Sequence, residues 1–581
     1  MKLIFEYPFQ SAELFSKRKS LRTSLLKGLS ANNGPNLKIA LLGGSTTSDI
    51  RQLIELMLLN AGIVADFFES EYNRYCEVVL FESRQLWAFS PDIVYIHTTS
   101  KNINFSATAA SELLKYQKIW SAIKSNSNAI IIQNNFEPVP VRTYGNLEAS
   151  TPTSNTNFIN ELNLSFSAHA AAQRGFYIND INHISTFVGT STWFDSVYWN
   201  NYKIPYSTSY TPYVARSFSS ITLAHLGKSK KCLVLDLDNT LWGGVIGDDG
   251  INGICLGEGD AKGEAYLDFQ KYIKTLAERG ILLAVCSKNN YDVAKSAFSH
   301  QDSFLKFSDF SSFQANWEPK TEGLKKIAED LNLGLESLVF IDDNPAEREW
   351  IRKQFPMVAV PEIGDDVSKY STHIDFNGYF ESAKILAEDR AKIGLYSENK
   401  KRQHAESQFE TYHEFLVSLE MTSEISTFTN QNLDRITQLV NKTNQFNLTA
   451  KKLSSDDVVS RMENSLFICL YGRLTDRFGD NGLVSVISGF CEKETVTIDI
   501  WVMSCRVFKR DLEYAIFDEF IAACTRHGIK KIIGIYTASD RNTIVADLYE
   551  KLGFHQISAS EWLMPNILNY KKLNSTIKVE K

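Results

Sequence analysis

The sequence predicts an α/β protein with three domains. Short apolar runs such as Leu37–Leu42 and Ile93–Ile96 alternate with amphipathic stretches of helical length, a pattern typical of parallel sheets with helices on both faces. The alternation begins again at Lys231–Leu235, and after residue 415 it changes to strands in which alternate residues are apolar. The length of 581 residues agrees with this division, since a domain takes about 100–200 residues.

The first domain is predicted to span residues 1–222. Its first strand is followed by a Gly-Gly-Ser-Thr turn and by a helix that ends near Leu59. The stretch Tyr206–Ser220 is rich in Ser, Thr and Tyr and is interpreted as a connector to the next domain. Its strands are predicted at Leu37–Leu42, Ile93–Ile96 and Ala129–Gln133, and its second helix at Ala107–Lys124.

The second domain, residues 223–375, repeats the alternation, and a charged stretch without proline at 376–414 is predicted to be a solvated linking helix. The third domain is predicted at 415–581. The elements of the second domain are predicted at Lys231–Leu235, Ala261–Arg279, Ile281–Val285, Thr321–Leu331 and Leu338–Ile341, and those of the third at Thr495–Met503, Arg510–His527 and Lys531–Tyr536.

Charge and composition exclude several classes of protein. The chain has 61 Lys and Arg against 68 Asp and Glu, a net charge of −7, whereas a nucleic-acid binder concentrates basic residues on one face. The N-terminus lacks the basic and apolar regions of a signal peptide, and no apolar run reaches the ~18–20 residues of a membrane helix. The eight cysteines include no CxxC pair, which argues against zinc. We therefore expect a cytoplasmic protein with reduced thiols and with neither nucleic acid nor membrane as a partner.

Two aspartates at the end of a predicted strand are the strongest chemical signal. Asp236 and Asp238 directly follow Lys231–Leu235, at the strand end where parallel sheets bind ligands. Two close carboxylates need a cation, and hard oxygen ligands suit Mg²⁺. Three further elements occur in order at strand ends or helix starts, namely Ser287, Lys320 and the pair Asp342-Asp343.

These residue types together suit phosphoryl transfer. One carboxylate attacks phosphorus, a second carboxyl group protonates the leaving oxygen and later activates water, and Mg²⁺ offsets the charge. A hydroxyl and an ammonium hold the phosphoryl oxygens. A single Asp-x-Asp also ends many strands as a turn or a helix cap, so the order of the four elements favours the catalytic interpretation.

The motif Asp236-Leu-Asp-Asn-Thr240, followed by these elements, resembles the haloacid dehalogenase (HAD) superfamily, and the longer run to Gly250 is similar to its FkbH-like branch, subfamily IIIC. The resemblance implies a Rossmann-like sheet with a minimal cap, since only 49 residues separate Asp238 from Ser287. It also implies roles for each residue: Asp236 as nucleophile, Asp238 as general acid/base, Ser287 and Lys320 as phosphate ligands, and Asp236, Asp238 (through its backbone carbonyl), Asp342 and Asp343 as the Mg²⁺ site.

The FkbH-like resemblance also implies an acyl or sugar phosphate as substrate. That branch takes the glyceryl group of 1,3-bisphosphoglycerate, removes phosphate and loads a carrier-protein thiol, which makes an acyl carrier protein a candidate partner. Cys286 is the candidate thiolate for such a relay, and a small buried strand residue is the other interpretation. The alternative functions are a phosphatase in polysaccharide or glycoconjugate synthesis and a non-catalytic assembly protein that binds carriers and substrates.

Ser45 follows a strand and a Gly-Gly turn and precedes a helix, as nucleophilic serines do on α/β scaffolds. Far downstream, Asp180 and His183 form an Asp-x-x-His motif that would complete a triad. The order resembles SGNH hydrolases, which implies a flavodoxin-like sheet with Asn102 or Asn73 in the oxyanion site. The two interpretations are a working hydrolase or acyltransferase and a fold retained for docking, with Ser45 as a helix cap.

The third domain resembles the GNAT acyltransferase fold on its strand Thr495–Met503, the helix after it and the ending Leu548–Phe554. In that family the turn before the helix binds the coenzyme A pyrophosphate. Here the turn lacks glycine, and its candidates for coenzyme A or phosphopantetheine are Arg506, Lys509 and Arg510. A second polar turn either serves a carrier or acyl group or is simply solvated, and its residues are Arg477, Asp480 and Asn481.

Overall fold

The computed structural model describes residues 2–29, 36–386, 389, 398, 402, 405–406, 409–539 and 542–580. The chain forms two compact units. One comprises Met1–Ala224 with Thr372–Ala383, and the other His225–Ser371 with Lys384–Lys581. The predicted α/β class is confirmed, since the first unit contains a parallel sheet and the second contains one parallel and one mixed sheet. The domain boundaries at 222, 375 and 414 stay predictions.

The first unit is built on a five-stranded parallel sheet in the order β2-β1-β3-β4-β5. This is a doubly wound order, in which the carboxyl ends of all strands meet at one edge. The strands are β1 (Leu37–Gly43), β2 (Ala65–Glu69), β3 (Ile93–His97), β4 (Ile130–Asn134) and β5 (Phe176–Asn179).

Amphipathic helices cover this sheet. In α5, for example, Tyr116, Ile119, Trp120 and Ile123 recur at helical spacing and are all buried. The helices are α1 (Ser11–Gly28), α2 (Ser48–Asn60), α3 (Tyr75–Leu80), α4 (Arg84–Phe89), α5 (Ala109–Asn126), α6 (Asn155–Ala172), α7 (Ile181–Val188), α8 (Thr190–Trp193), α9 (Ser196–Tyr202) and α10 (Thr211–His225).

The interpretation of Tyr206–Ser220 as a connector is wrong, because most of it lies in α10. Val214, Ala215 and Phe218 are buried on one face of that helix, and small hydroxyl residues such as Ser219 are buried with them. Serine and threonine are small enough to pack in a helix interface, so a polar composition did not mean exposure here.

The second unit contains a four-stranded parallel sheet in the order β8-β7-β6-β9. Its strands are β6 (Cys232–Leu235), β7 (Leu282–Ser287), β8 (Phe310–Ala315) and β9 (Leu338–Ile341). Its helices are α11 (Ile246–Asp249), α12 (Ala261–Glu278), α13 (Tyr291–Ser296), α14 (Lys320–Asp330), α15 (Pro345–Gln354) and α16 (Tyr370–Phe376), the last of which ends within the first unit.

The mixed sheet has the order β16-β17-β15-β14-β13-β12-β10-β18, with β11 paired to β14. Antiparallel pairing joins β10, β12, β13 and β14, whereas β14 and β15 are parallel. Its strands are β10 (Thr422–Thr427), β11 (Phe446–Asn447), β12 (Phe467–Asp476), β13 (Gly479–Glu492), β14 (Thr495–Met503), β15 (Lys531–Ile535), β16 (His555–Gln556), β17 (Glu561–Met564) and β18 (Lys578–Glu580). Its helices are α17 (Tyr412–Ser418), α18 (Leu433–Lys442), α19 (Ser455–Glu463), α20 (Leu512–Arg526) and α21 (Leu548–Lys551).

The predicted charged linker, 376–414, lies largely outside the described residues. Among the described helices, none is long and apolar enough to cross a membrane. Within the second unit, the Lys231 ammonium, next to β6, donates to the carbonyl of Lys442, the last residue of α18, at 3.2 Å.

Candidate functional site

An acidic cluster lies at the carboxyl edge of β6 and β9. These strands are neighbours with Leu235 in register with Ile341, so the next residue of each, Asp236 and Asp342, emerges at the same place. One carboxylate oxygen each from Asp236, Asp342 and Asp343 lies within 4.8 Å of the others. Asp342 is fully buried and Asp236 is 8% exposed. The strand pairing therefore brings three carboxylates together, of which those of Asp236 and Asp342 are buried and that of Asp343 is half-buried.

Lys320, the first residue of α14, is the cation of this cluster. Its buried ammonium lies 2.8 Å from Asp236 Oδ2 and 2.5 Å from Asp342 Oδ2. Burial alone would lower the pKa of Lys320, but the two aspartates raise it above its ordinary value, so the ammonium stays charged. Burial, together with repulsion from Asp236, raises the pKa of both Asp342 and Asp343.

The cluster fits a divalent cation. Three carboxylates face one ammonium, which leaves about two negative charges uncompensated when all three are ionised. In addition, Oδ1 of Asp236 is buried and has no hydrogen-bond partner among the described residues. Hard, anionic oxygens of this kind are the ligands that Mg²⁺ prefers.

The carboxylate of Asp238 does not belong to the acidic cluster. It accepts hydrogen bonds from Trp242 Nε1 at 2.8 Å, from the Ile246 N–H at 3.0 Å and from Asn289 Nδ2 at 2.9 Å. These hydrogen bonds place the side chain of Asp238 apart from the acidic cluster, and the role of its backbone carbonyl as a metal ligand stays a prediction. Burial raises the pKa of Asp238, which suits a carboxyl group that has to carry a proton.

The sequence did not reveal the groups that hold Asp342 and Asp343 in place. Arg348 is 2% exposed and donates to the backbone carbonyls of Asp342 at 2.8 Å and Asp343 at 2.7 Å. Thr240 Oγ1 accepts the N–H of Asp343 at 3.2 Å. Arg348 lies in the strongly charged helix α15, where an exposed position was the natural expectation. Its only sequence signal is its closeness to the Asp-Asp-Asn-Pro run.

Ser287 and Cys286 end β7, next to β6. Ser287 is 5% exposed, and its carbonyl accepts the Asn316 N–H at 3.2 Å. Cys286 is 2% exposed, its thiol faces the Lys320 carbonyl at 3.5 Å, and burial raises its pKa to about 12. A thiol so buried is not a thiolate at neutral pH, so Cys286 is the buried strand residue and not the acyl relay.

The predicted triad of the first unit is not assembled. Ser45 Oγ lies 3.3 Å from Nδ1 of His97, whereas His183 is exposed and its ring stacks on Phe376 at 5.7 Å. The Asp180 carboxylate accepts the backbone N–H of His183 at 2.9 Å and so caps α7; among the described residues no hydrogen bond joins it to the His183 imidazole. Among the described residues no hydrogen bond joins Ser45 to His183. The histidine that lies within hydrogen-bond distance of Ser45 is His97, so the predicted pairing with His183 is wrong.

Both candidate oxyanion asparagines lie at the Ser45 turn. Asn102 Nδ2 donates to the Gly44 carbonyl at 2.6 Å and to Asn73 Oδ1 at 3.2 Å. A Cβ on Gly44 would lie 2.4 Å from the Asn102 amide, so glycine is required for this close approach. The two alternatives are thus neighbours in one hydrogen-bonded group.

The turn before α20 adopts left-handed backbone without glycine, at Lys509 (φ +62°) and Asp511 (φ +60°). Arg510 is buried and donates to Asp476 at 3.1 Å and to the Arg506 carbonyl at 2.9 Å, which contradicts its prediction as a ligand of the coenzyme A phosphates. Burial lowers the pKa of Arg510 to about 10. Arg506 keeps one buried guanidinium nitrogen, Nη1, without a hydrogen-bond partner among the described residues.

The second polar turn is partly buried. Asn481 is 2% exposed and receives a hydrogen bond from Arg510 at 3.4 Å. Asp480 forms an ion pair with Arg473, and the Arg477 guanidinium lies 4.8 Å from the Phe478 ring. A fully solvated turn is therefore excluded for Asn481, whose amide belongs to the same polar group as Arg510.

Comparison with known proteins gives two family matches. Residues 38–222 match the FkbH N-terminal domain, and residues 251–349 match a haloacid dehalogenase-like hydrolase. The second match includes Lys320 and the Asp342-Asp343 pair but begins after Asp236 and Asp238. No curated protein matches the chain.

Solved structures also resemble parts of the chain. The ribosomal-protein-S18-alanine N-acetyltransferase from Escherichia coli is 14% identical, and the match covers 24% of this chain and 90% of that chain, with a TM-score of 0.20. The PaiA N-acetyltransferase from Thermoplasma acidophilum is 13% identical, covering 24% of this chain and 96% of its own, with a TM-score of 0.19. Similarity at this level assigns neither a family nor a function to the mixed sheet.

A stronger match is the N-terminal part of protein BF1531 from Bacteroides fragilis, which contains a phosphatase domain and was solved with Mg. It is 31% identical, covers 63% of this chain and 99% of its own, and has a TM-score of 0.59. The chain therefore belongs to the same family as BF1531, and its own sequence joins a match to the FkbH N-terminal domain to a match to a haloacid dehalogenase-like hydrolase.

Proposed function

We propose that the second unit is a Mg²⁺-dependent phosphatase or phosphotransferase that acts through an aspartyl-phosphate on Asp236. The observation that carries the proposal is the buried Oδ1 of Asp236, which has no hydrogen-bond partner among the described residues, whereas Oδ2 of the same carboxylate lies 2.8 Å from the Lys320 ammonium. The hydrolase match and the phosphatase domain of BF1531, solved with Mg, support it.

In the first step, Asp236 Oδ1 attacks phosphorus as the bond to the leaving oxygen breaks, and Asp238 donates its proton to that oxygen. Asp238 then takes a proton from water, which attacks the aspartyl-phosphate and releases phosphate. Lys320 and Ser287 hold the phosphoryl oxygens during both steps. Asp236, Asp342 and Asp343 would hold Mg²⁺, whose positive charge would offset the negative charge of the phosphate.

The proposed substrate is an acyl or sugar phosphate. In the glyceryl-transfer form of the proposal, the acyl group of 1,3-bisphosphoglycerate is loaded onto a carrier protein. Because Cys286 is buried with a pKa of about 12, the accepting thiol is then the phosphopantetheine of the carrier itself. Binding of an anionic group, such as that of coenzyme A or phosphopantetheine, at the turn before α20 is supported by the buried Nη1 of Arg506, which has no hydrogen-bond partner among the described residues.

The test is phosphate release from a panel of acyl and sugar phosphates, with Mg²⁺ or with EDTA. D236N should abolish release, whereas D268N, a change at an exposed aspartate on α12, should not alter it. Turnover by D236N, or equal release in EDTA, would contradict the proposal. A mass increment on a carrier protein supplied with 1,3-bisphosphoglycerate supports glyceryl loading, and phosphate without an increment supports a phosphatase of polysaccharide or glycoconjugate synthesis.

A non-catalytic assembly role is the second candidate. It is favoured by the first unit, where the His183 ring stacks on Phe376 and, among the described residues, forms no hydrogen bond to Ser45. Calorimetry separates the candidates, because an assembly protein needs no Mg²⁺ affinity at Asp236 and Asp342.

A further inference from the structure

A serine and a histidine with no part in the phosphate chemistry lie together at the carboxyl edge of the first sheet. Ser45 follows the turn after β1, and His97 is the last residue of β3, in register with Gly43. Ser45 Oγ is 3.3 Å from His97 Nδ1, and His97 Nε2 is 3.0 Å from the hydroxyl of Tyr206. This is the spacing of a nucleophile, its base and a group that orients the base.

The imidazole is in the form that a base requires. His97 is fully buried, and burial lowers its pKa to about 4, so it is neutral at pH 7. A neutral ring that accepts the Ser45 proton at Nδ1 carries its own hydrogen at Nε2, where the Tyr206 oxygen accepts it. Tyr206 is itself buried and packs on the ring of Trp193 at 4.5 Å.

Residues 194–204, which we call the cover, lie beside this pair, and none of them is buried. The residue next to the serine, Thr46, donates its N–H to the Lys203 carbonyl at 3.0 Å and its hydroxyl to the Tyr202 carbonyl at 2.7 Å. Helix α9 within the cover buries none of its side chains, and left-handed backbone follows it at Lys203 (φ +56°). A segment with so little buried surface opens at low cost.

A second attachment of the cover is aromatic. The ammonium of Lys101, next to Asn102, lies 5.4 Å from the Phe194 ring and 5.8 Å from the Trp199 ring. The cover is thus tied to the serine turn by two hydrogen bonds and to the Asn102 loop by contacts with aromatic rings. Those rings would also give an opened site an apolar wall.

We propose that Ser45 and His97 form a second, gated centre for acyl transfer, whose substrate is a carboxylic ester or thioester. The Ser45 oxygen attacks the carbonyl carbon while its proton passes to His97 Nδ1. The bond to the leaving oxygen or sulfur then breaks, and the leaving group takes that proton from His97. The acyl group remains on Ser45 until water, or a second alcohol or thiol, removes it by the reverse proton transfers.

The test is covalent labelling of the full-length chain with a fluorophosphonate probe, located by peptide mass spectrometry. The Ser45 oxygen forms a bond to phosphorus, the P–F bond breaks and fluoride leaves. We expect a single adduct on Ser45. T46V removes the hydroxyl bond to Tyr202 but keeps the N–H bond, and it should raise the labelling rate about fivefold. H97Q should lower the rate at least about 100-fold.

The controls distinguish a serine that is activated by a neighbouring base from one that reacts only because it is exposed. Ser48, three residues along and exposed, has no such base, so S48A should label at the wild-type rate. Y206F tests positioning, and it should shift the pH profile of labelling without removing the adduct. An adduct on Ser48 would overturn the proposal, as would the absence of an adduct from both the wild type and T46V. Labelling of folded H97Q at the wild-type rate would also overturn it.

Discussion

Replacing Lys320 with Met should destabilise the metal-free second unit by about 3–5 kcal/mol, the usual cost of removing one partner from a buried ion pair. The ammonium lies 2.8 Å and 2.5 Å from oxygens of Asp236 and Asp342. At an effective dielectric constant of about 20, each contact is worth about 6 kcal/mol of attraction. Burial of the ammonium offsets much of this gain, but the variant leaves the carboxylates buried without their cation.

Mg²⁺ should rescue the variant. A ligand that binds only the folded state stabilises it by about 2.7 kcal/mol at 100 times its dissociation constant. In K320M the metal no longer competes with an ammonium for Asp236 and Asp342, so the gain in stability should exceed that of the wild type. The measurement is urea unfolding, followed by tryptophan fluorescence, in EDTA and in saturating Mg²⁺.

The matched control is K288M. Lys288 is 45% exposed and pairs with Glu347 at the same edge of the sheet, so its loss should cost about 0–1 kcal/mol. That cost should be the same with and without Mg²⁺. The reasoning would be refuted if K320M unfolded like the wild type in EDTA, or if Mg²⁺ stabilised it no more than it stabilises K288M.

Three further predictions follow from buried contacts. R348M should weaken Mg²⁺ binding about 10–100-fold in calorimetry, because it frees the backbone of two metal ligands; R352M, which leaves those bonds intact, should not. Burial raises the pKa of Glu137 from its ordinary 4.5 to about 7. The protonated form is therefore favoured by folding, and about 3 kcal/mol of stability present below pH 4.5 should be lost as the pH rises through 7. Thermal unfolding of the wild type and E137Q at pH 5 and pH 8 checks this, since the variant should lack the dependence. G227A should destabilise the second unit by more than about 1–2 kcal/mol, because Gly227 has φ +67° and an added Cβ would lie 1.9 Å from the Asn441 carbonyl oxygen; a wild-type melting temperature would contradict it.

Local patterns were sufficient for much of the fold. Apolar runs and helical periodicity predicted most strands of both parallel sheets, and β9 and β14 have the predicted bounds. The acidic cluster was also predictable. Parallel strands place their carboxyl ends at one edge, so residues that directly follow two such strands, Asp236 and Asp342, meet once those strands are neighbours.

Composition misled where small polar residues pack inside. Ser219 and Thr222 are buried in α10, although the sequence around them suggested a connector. In the same way, Arg510 was expected to face a ligand and instead lies 3.1 Å from the buried Asp476. Charge or polarity alone therefore did not distinguish a surface residue from one satisfied in the interior.

The sequence by itself determined which residues follow each strand, and with them the chemistry of the acidic edge. The tertiary structure decided the pairings, such as His97 and not His183 beside Ser45, and Arg348 beneath Asp342 and Asp343. The reason is physical. Periodicity and turn chemistry are local properties of a chain, whereas a hydrogen bond between distant residues depends on strand order, register and side-chain rotamer, which are settled only when the sheets and helices pack.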